Sequence, residues 1–455
     1  MNPLQKYLTF FIFCILWQCS SPDQPSQSRS DKPNVIFVLT DDQGSVDVGA
    51  YGTQDIQTPN LDRLAAKGVR FTQFYANAPI CSPSRAAILT GKTPFKAGVP
   101  GNVASVANQQ KGMPASEITI AEMLKDHGYK TAAIGKWHLG YTPALQPNGQ
   151  GFDYHFGHLV GCIDNYSHFY YWNGPNRHDL YQNGKEIHRD GEYFPAMCLE
   201  EASRFMEENR KEPFFIYYAM NTPHYPYQGT PEWLAYYHEK GVPYPRSIYN
   251  AFVSTMDEYI GKLQDKVVEL GLAENTIIIF QSDHGHSTEE RAHFGGGSAG
   301  PYKGAKGSLF EGGLRVPAII SWPGKIPENE VREQWAMACD WFPTIAELCA
   351  LPAPSHSIAG KSIVSIIQSE KAAEIHDTWH WNFGKHWSIR QGKWKLLFDP
   401  LDTTQKRDPE PNKAEDLWYL VNLETDIGET TNLAQQFPEK VKELQALYAQ
   451  RKTVE

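Results

Sequence analysis

Asn34-Val35-Ile36-Phe37-Val38-Leu39-Thr40-Asp41-Asp42-Gln43-Gly44 decides the fold. Val35 to Leu39 are apolar without alternation, the pattern of a strand buried on both faces of a parallel sheet. The stretch then delivers two carboxylates, Asp41 and Asp42, into a polar turn. The unit recurs. Lys130-Thr131-Ala132-Ala133-Ile134-Gly135 runs into Lys136-Trp137-His138, and Phe214-Phe215-Ile216-Tyr217-Tyr218-Ala219 runs into Asn221-Thr222-Pro223-His224. Thr276-Ile277-Ile278-Ile279-Phe280 runs into Ser282-Asp283-His284-Gly285. In an open α/β sheet, ligands bind just beyond the C-terminal ends of the strands. Parallel neighbours would therefore gather Asp41, Asp42, Lys136, His138, His224, Asp283 and His284 at one crevice. Singly, each has a bland explanation: a helix cap, a solvated lysine, a loop histidine. Jointly, that explanation would have to hold at every strand end.

Helix signals fill the connections. Thr58 precedes Pro59, with Leu61, Leu64 and Ala65 on one face and Gly68 as the stop. Thr119 and Glu122 form a capping box for a helix from Ile120 to His127. A long helix is expected from Ser247 to Leu270. A glycine-rich segment, Gly295-Gly296-Gly297 and then Gly304-Ala305-Lys306-Gly307-Ser308-Leu309-Phe310-Glu311-Gly312-Gly313, leads into a strand at Val316 to Ile320. Its glycines would let backbone approach an anion closely, although a plain flexible loop reads the same way.

Past Ile366 the pattern changes to alternating short strands around Trp379-His380-Trp381-Asn382, Trp387-Ser388-Ile389-Arg390, Lys393 to Leu397 and Leu417 to Val421, closed by an amphipathic helix from Pro438 to Arg451. Such a pattern predicts antiparallel pairing. The expected architecture is a large, mostly parallel sheet flanked by helices, with a smaller C-terminal domain of antiparallel strands plus a helix. The boundaries expected are 34–366 for the first domain and 367–455 for the second.

Leu8 to Trp17 is too short to span a bilayer and reads as a signal-peptide core, so residues 1–19 are expected to direct export. Leu16-Trp17-Gln18-Cys19 resembles a bacterial lipobox, which would put a lipid anchor on Cys19 and the protein in the periplasm or on the outer membrane. Residues 20–33, rich in Ser and Pro, would be a flexible tether. The net charge of -10 excludes a nucleic-acid partner, whose binding needs a basic face. Of the seven cysteines, Cys162, Cys198, Cys339 and Cys349 leave three pairings open, or none.

Cys81-Ser82-Pro83-Ser84-Arg85-Ala86-Ala87-Ile88-Leu89-Thr90-Gly91-Lys92 carries the chemistry. Pro83 lacks an N–H, so Cys81 is expected in a turn, with a helix beginning at Ser84. The free N–H groups of a helix start favour an anion, and Arg85 offers a fixed fork of donors. The string resembles the sulfatase signature. Thr58-Pro59-Asn60-Leu61-Asp62-Arg63-Leu64, Gly135-Lys136-Trp137-His138-Leu139-Gly140, Glu311-Gly312-Gly313-Leu314-Arg315-Val316-Pro317 and the end from Trp418 to Leu433 follow in the same family's order. From Asn34 to about Leu433 the chain is similar to a type I sulfatase of the alkaline-phosphatase-like superfamily.

The resemblance implies that a maturation enzyme oxidises Cys81 to formylglycine, whose hydrate attacks sulfur. It implies one calcium ion held by Asp41, Asp42, Asp283, His284 and the modified Cys81, and hard oxygen donors suit that ion. Arg85 would steady the hydrate, with Asp283 accepting its proton. Lys136 and Lys306 would grip sulfate, His224 would protonate the leaving oxygen, and His138 would take the second proton. The expected substrate is a sulfated sugar of a polysaccharide. His158, Asp164, Asn165, His168 and Trp172, together with Trp381 and His386 of the second domain, are candidates to bind it. Two alternatives stand beside this: a phosphomonoester or phosphonate hydrolase with the same modified residue, and a non-catalytic glycan-binding protein on the same scaffold.

Overall fold

The computed structural model describes residues 32–106, 110–170, 172, 176–354, 356–413 and 417–452. The expectations for the export segment 1–19, for Cys19 and for most of the 20–33 tether lie outside the described residues. No helix among the described residues is long and apolar enough to cross a membrane.

Ten strands form one mixed sheet in the order 330–332, 69–71, 318–321, 276–282, 34–40, 214–219, 130–136, 154–158, 181–182 and 185–186. Its centre is parallel. Asn34–Thr40 pairs with Phe214–Ala219 on one side and with Thr276–Ser282 on the other. Phe214–Ala219 pairs with Lys130–Lys136, which pairs with Tyr154–His158. Register aligns Thr40 with Ser282, Leu39 with Ala219, and Ala219 with Gly135. The four strands read from sequence are thus adjacent, and their C-terminal ends are level. Ala318–Ser321 runs antiparallel to Thr276–Ser282 and Tyr181–Gln182 antiparallel to Tyr154–His158, while the edge strand Glu330–Arg332 pairs parallel with Val69–Phe71, so the sheet is mixed and mostly parallel, as expected.

Continuous apolar strands need cover on both faces. Val35, Phe37 and Leu39 pack with Ala86, Ile88, Leu89 and Trp341 on one side. Ile36 and Val38 pack with Met197, Tyr249 and Val253 on the other. Gly135 sits at φ +110, where a Cβ would stand 2.0 Å from the Ala219 carbonyl oxygen. Only glycine lets the strand turn there and present Lys136.

Helix boundaries follow the signals, with one exchange of partners. The capping box at Thr119 and Glu122 is present on Ile120–Asp126, and the long helix spans Arg246–Glu269. Pro59–Ala66 does begin at Pro59, but the Thr58 hydroxyl accepts from the Gly49 N–H. Asp257 of the long helix caps it instead, accepting from the N–H groups of Asn60 and Leu61 at 3.0 and 2.7 Å. A distant carboxylate has replaced the local hydroxyl.

Thr378–Phe383, His386–Gln391, Trp394–Phe398 and Trp418–Asn422 form a separate antiparallel sheet. Val441, Leu444 and Tyr448 of the helix Pro438–Lys452 cover one face with Ile389, Leu396 and Leu420. The other face meets the large unit through an apolar cluster, Trp379, Trp381, Leu397 and Val421 with Tyr75, Phe310 and Met337, and through buried polar groups. Lys395 Nζ lies 2.9 Å from both Glu311 Oε1 and Glu429 Oε1, all three side chains being fully buried. Burial would raise the Glu311 carboxyl, but Lys395 and Arg315 hold it down at about 2. Burial lifts Glu429 to about 7. One ammonium thus serves two carboxylates of unequal acidity. Removing it strands charge in the interior, so Lys395→Met should cost ~3–5 kcal/mol of unfolding free energy by urea titration. Lys393→Met, which breaks the exposed pair with Glu424, should leave the midpoint nearly unchanged.

Candidate active site

The Cys81 side chain enters the crevice from the N-terminus of the helix Cys81–Thr90. The cysteine is the first helical residue, not part of a preceding turn, and Ile80 is the N-cap. Pro83 is tolerated inside the first turn because the first N–H groups of a helix have no intrahelical partner anyway. Ser82 secures this end: its N–H reaches Asn102 Oδ1, and its hydroxyl donates to the His138 carbonyl and accepts from the Val103 N–H. Ser84 donates to the Asp283 carbonyl at 2.6 Å.

Beneath the sulfur, Arg85 spans two carboxylates. Its Nη2 lies 2.9 Å from Asp283 Oδ2 and 3.4 Å from Asp41 Oδ1, with every side chain fully buried. Lys136 Nζ lies 2.6 Å from Asp41 Oδ2, and Lys306 Nζ lies 2.9 Å from Asp42 Oδ2. Burial alone would raise the Asp41 carboxyl, but Lys136, His224 and Arg85 hold it well below its usual range. Burial would likewise discharge Lys306, but Asp42 and Glu289 hold its pKa well above the usual value. The crevice therefore sets Asp41, Asp42 and Asp283 against Arg85, Lys136 and Lys306 in a buried space, and burial raises the Asp42 carboxyl despite Lys306 beside it.

Ligand atoms of Asp41, Cys81, Asp283 and His284 lie within 4.8 Å of one another, as do those of Asp41, Asp42, Cys81 and His224. Asp42 Oδ1 is buried and accepts no hydrogen bond. His284 Nε2 faces the Cys81 sulfur at 3.3 Å, while its Nδ1 is held by the Gly285 carbonyl. Carboxylates with an orphaned oxygen, one imidazole and the position of the Cys81 side chain fit a hard divalent cation. Burial would lower His284, but Asp283 and Cys81 carry it up to about 9, a proton that a bound metal must displace.

Above the sulfur is a cavity of about 470 Å³ whose lining includes Cys81, His138, His224 and Lys306. Two of the expected residues meet there with defined tautomers. His224 Nδ1 lies 2.7 Å from the Tyr225 carbonyl, which leaves Nε2 facing Lys306 Nζ at 3.3 Å. His138 Nε2 lies 3.0 Å from the Val103 carbonyl, and Nδ1 has no partner. Burial lowers both imidazoles, His224 to about 4 and His138 further.

A family model described as Sulfatase matches residues 33–350. The chain belongs to the sulfatase family. A second model, N-sulphoglucosamine sulphohydrolase, C-terminal, matches residues 304–452. N-acetylgalactosamine-6-sulfatase of Rattus norvegicus is 35% identical over 345 residues, 72% of this chain and 64% of that relative, so the chain spans slightly less than two thirds of its length. Arylsulfatase G of Rattus norvegicus is 31% identical over 464 residues, covering 91% of this chain and 85% of the relative. The solved structure of Ps i-CgsB with k-i-k-neocarrahexaose has a TM-score of 0.80 at 30% identity, covering 92% of both chains.

The sulfatase crevice contains the metal-ligand and catalytic candidates, but the substrate candidates lie elsewhere. Trp381 is buried in the apolar cluster between the small sheet and the large unit and donates to the Ala76 carbonyl. His386 is held by the Asp399 carbonyl on the same sheet. His158 packs on Phe194 with Nδ1 on the Val160 carbonyl. Asp164 organises a turn through the N–H groups of Tyr166 and Ser167, and Asn165 bonds Gln228 and Asn221. His168 is fully buried with Nε2 on the Glu192 carbonyl. None of these six lines the cavity. Trp172 stands one layer out, edge-on to Tyr225 and beside Arg291, both of which do.

The lining that sequence reading missed includes Tyr170, Tyr225, Glu289, Arg291, Arg407 and Asp408. Arg407 comes from the connection between the last two strands of the small sheet. A Cβ on Gly307, at φ +82, would stand 2.3 Å from its Nη1. The signal was the length of that connection, 399–417, far beyond a hairpin turn.

None of the five described cysteines is bridged: Cys162, Cys198, Cys339 and Cys349 are buried and free, like Cys81. Because the Val103 N–H depends on the Ser82 hydroxyl, Ser82→Ala should lower the unfolding free energy by about 1–3 kcal/mol. Urea titration of the variant beside the unchanged chain measures this.

Proposed function

We propose that this chain hydrolyses a sulfate ester on a sugar of a sulfated polysaccharide, using a formylglycine made from Cys81 and one bound calcium ion. The observation that carries the reading is the convergence of Cys81 with Asp41, Asp283 and His284 under a cavity lined by His138, His224 and Lys306. Relatives named for N-acetylgalactosamine-6-sulfate chemistry, and a related structure holding neocarrahexaose, support a sugar substrate. Tyr170 and Tyr225 offer faces for a sugar ring, and Arg291 and Arg407 offer charge for its anionic groups. The apolar segment from Leu8 to Trp17 supports export to a compartment where such polymers are met.

The Cys81 sulfur marks where the hydroxyl oxygens of the hydrated aldehyde would stand. Formylglycine would supply that hydroxyl as nucleophile toward sulfur, and calcium held by Asp41, Asp42, Asp283 and His284 would lower its pKa. Arg85 keeps Asp283 and Asp41 oriented from below. Lys136 and Lys306, with flexible stems ending at the crevice, bind the sulfate oxygens. The S–O bond to the sugar breaks as its oxygen takes a proton from His224. The bound sulfate's negative charge favours a proton on His224 Nε2, while Lys306 3.3 Å away keeps its own proton. His138 Nδ1, neutral and unpartnered, accepts the proton whose removal lets sulfate leave.

A panel of matched sugar sulfates and phosphates tests the reading. Sulfate release should dominate, should vanish in Cys81→Ala, and should require a tryptic peptide carrying aldehyde at position 81. Faster phosphate release would hand the chain to the phosphorus-ester alternative.

The proton donor is separable through the leaving group. A sugar alkoxide needs a proton as its bond breaks, whereas nitrophenolate is stable as an anion. His224→Ala should cost about 10²–10⁴-fold in kcat/KM on a sulfated sugar and far less on nitrophenyl sulfate. Lys136→Ala should reduce both, because it touches the sulfate they share. Equal losses in His224→Ala would move His224 from proton donor to sulfate binder.

A further inference from the structure

The hairpin that forms part of the cavity wall contains a second group of imidazoles and carboxylates, sharing no residue with the Cys81 site. Phe169–Tyr170 pairs with Arg177–His178, and Tyr170 lines the cavity. Behind it sit His168 and His178, with ring centroids 6.0 Å apart. His168 Nε2 lies 3.0 Å from the Glu192 carbonyl. A carbonyl only accepts, so Nε2 carries the proton and Nδ1 is left with a lone pair. His178 Nδ1 lies 3.1 Å from Glu186 Oε1. By the same argument its Nε2 is left with a lone pair.

Both lone pairs are buried, and neither His168 Nδ1 nor His178 Nε2 has a hydrogen-bond partner. His168 is 0% exposed and His178 is 8% exposed. Buried polar atoms are rarely left without a partner. Here two occur on neighbouring rings, and a carboxylate stands beside one of them: Asp190 Oδ1 lies 3.8 Å from His178 Nε2. Ligand atoms of His168, His178 and Asp190 all lie within 4.8 Å of one another. Ligating histidines characteristically donate their other ring N–H to a carbonyl or carboxylate, which fixes tautomer and orientation. Glu192 and Glu186 already do that.

We propose that His168 Nδ1, His178 Nε2 and Asp190 bind a divalent zinc-class ion that pins the Tyr170 hairpin into the cavity wall. Two imidazoles and one carboxylate suit zinc better than calcium, and water fills a fourth position. Asp190 is exposed, so its side chain is free to close the remaining distance. His178, Glu186 and His188 make a competing group. Glu186 is already committed to His178 Nδ1, and His188 stacks on His178 at 4.2 Å. The geometry makes Glu186 an orienting partner and His188 a stacking neighbour, neither a ligand. The site is independent of the sulfatase chemistry.

The test is a calorimetric titration of the chelator-stripped full chain with Zn²⁺, with elemental analysis of the product. The expected result is one zinc equivalent retained at this site in the double variant Asp41→Asn/Cys81→Ala, which removes two ligands from each group around Cys81. His178→Ala should lose that equivalent, and Asp190→Asn should weaken it at least about 10-fold. Glu186→Gln should weaken it about 10–100-fold, as loss of an orienting partner does. His188→Ala should leave it unchanged. Co²⁺ should give tetrahedral absorption in the double variant and none once Asp190→Asn is added. Should His178→Ala fail to fold, the exposed Asp190→Asn decides. No zinc in the double variant, zinc unaffected by Asp190→Asn, or zinc abolished by His188→Ala would each overturn the proposal.

Discussion

The site depends on a guanidinium that never leaves the interior. Arg85 is fully buried and spans Asp283 and Asp41, and without it two carboxylates would face each other under the nucleophile position. Their repulsion, in a space with little water to screen it, would drive one of them to protonate. Arginine suits this role because its planar fork holds geometry and does not deprotonate. Lys306, which lines the cavity, and the fully buried Lys136 balance the remaining charge through Asp42 and Asp41. A lysine is a point charge on a single stem, whereas the guanidinium fork spans two carboxylates at once.

That balance is only as stable as the loops that carry it. The carboxylates sit on strand ends aligned by register, so their placement is inherited from the hydrogen bonds of the parallel sheet. Lys306 has no such support. Its segment is tied at Ala305 to Thr403, and at Glu311 to Lys395 and Glu429, contributed by the long connection, the small sheet and the segment after its last strand. The second sheet therefore helps position a cation of the first unit's crevice, and the same connection brings Arg407 to the cavity. A sheet that supplies no metal ligand still shapes the site.

Legibility followed the same division. Asp41, Lys136, His224 and Asp283 were readable because a strand's apolar run ends sharply, and the register of parallel neighbours leaves little freedom beyond it. Arg85 and Lys306 were readable through the family resemblance. Trp381 and His386 misled because aromatic residues beside polar ones look alike whether they face a sugar or a core, and Trp381 spends its indole N–H on Ala76. The cap of Pro59–Ala66 misled for a related reason: Asp257 is distant in sequence, and local signals cannot announce a tertiary partner. Arg407 was hidden in a connection with no periodicity to interpret.

Histidine shows the limit most sharply, because its chemistry resides in one nitrogen rather than in the residue. At His138 the Val103 carbonyl claims Nε2, and at His224 the Tyr225 carbonyl claims Nδ1. At His284 the Gly285 carbonyl claims Nδ1, which aims Nε2 at the Cys81 sulfur. Backbone oxygens, invisible in a sequence, thus decide which nitrogen is left to accept a proton or a metal. The same rule separates His168 from the substrate candidates beside which it stood. Its claimed nitrogen is Nε2, its Nδ1 is buried without a partner in a group with His178 and Asp190, and burial lowers its pKa. A neutral imidazole with a buried open lone pair is a ligand in search of a cation, and a sugar hydroxyl has no path to it.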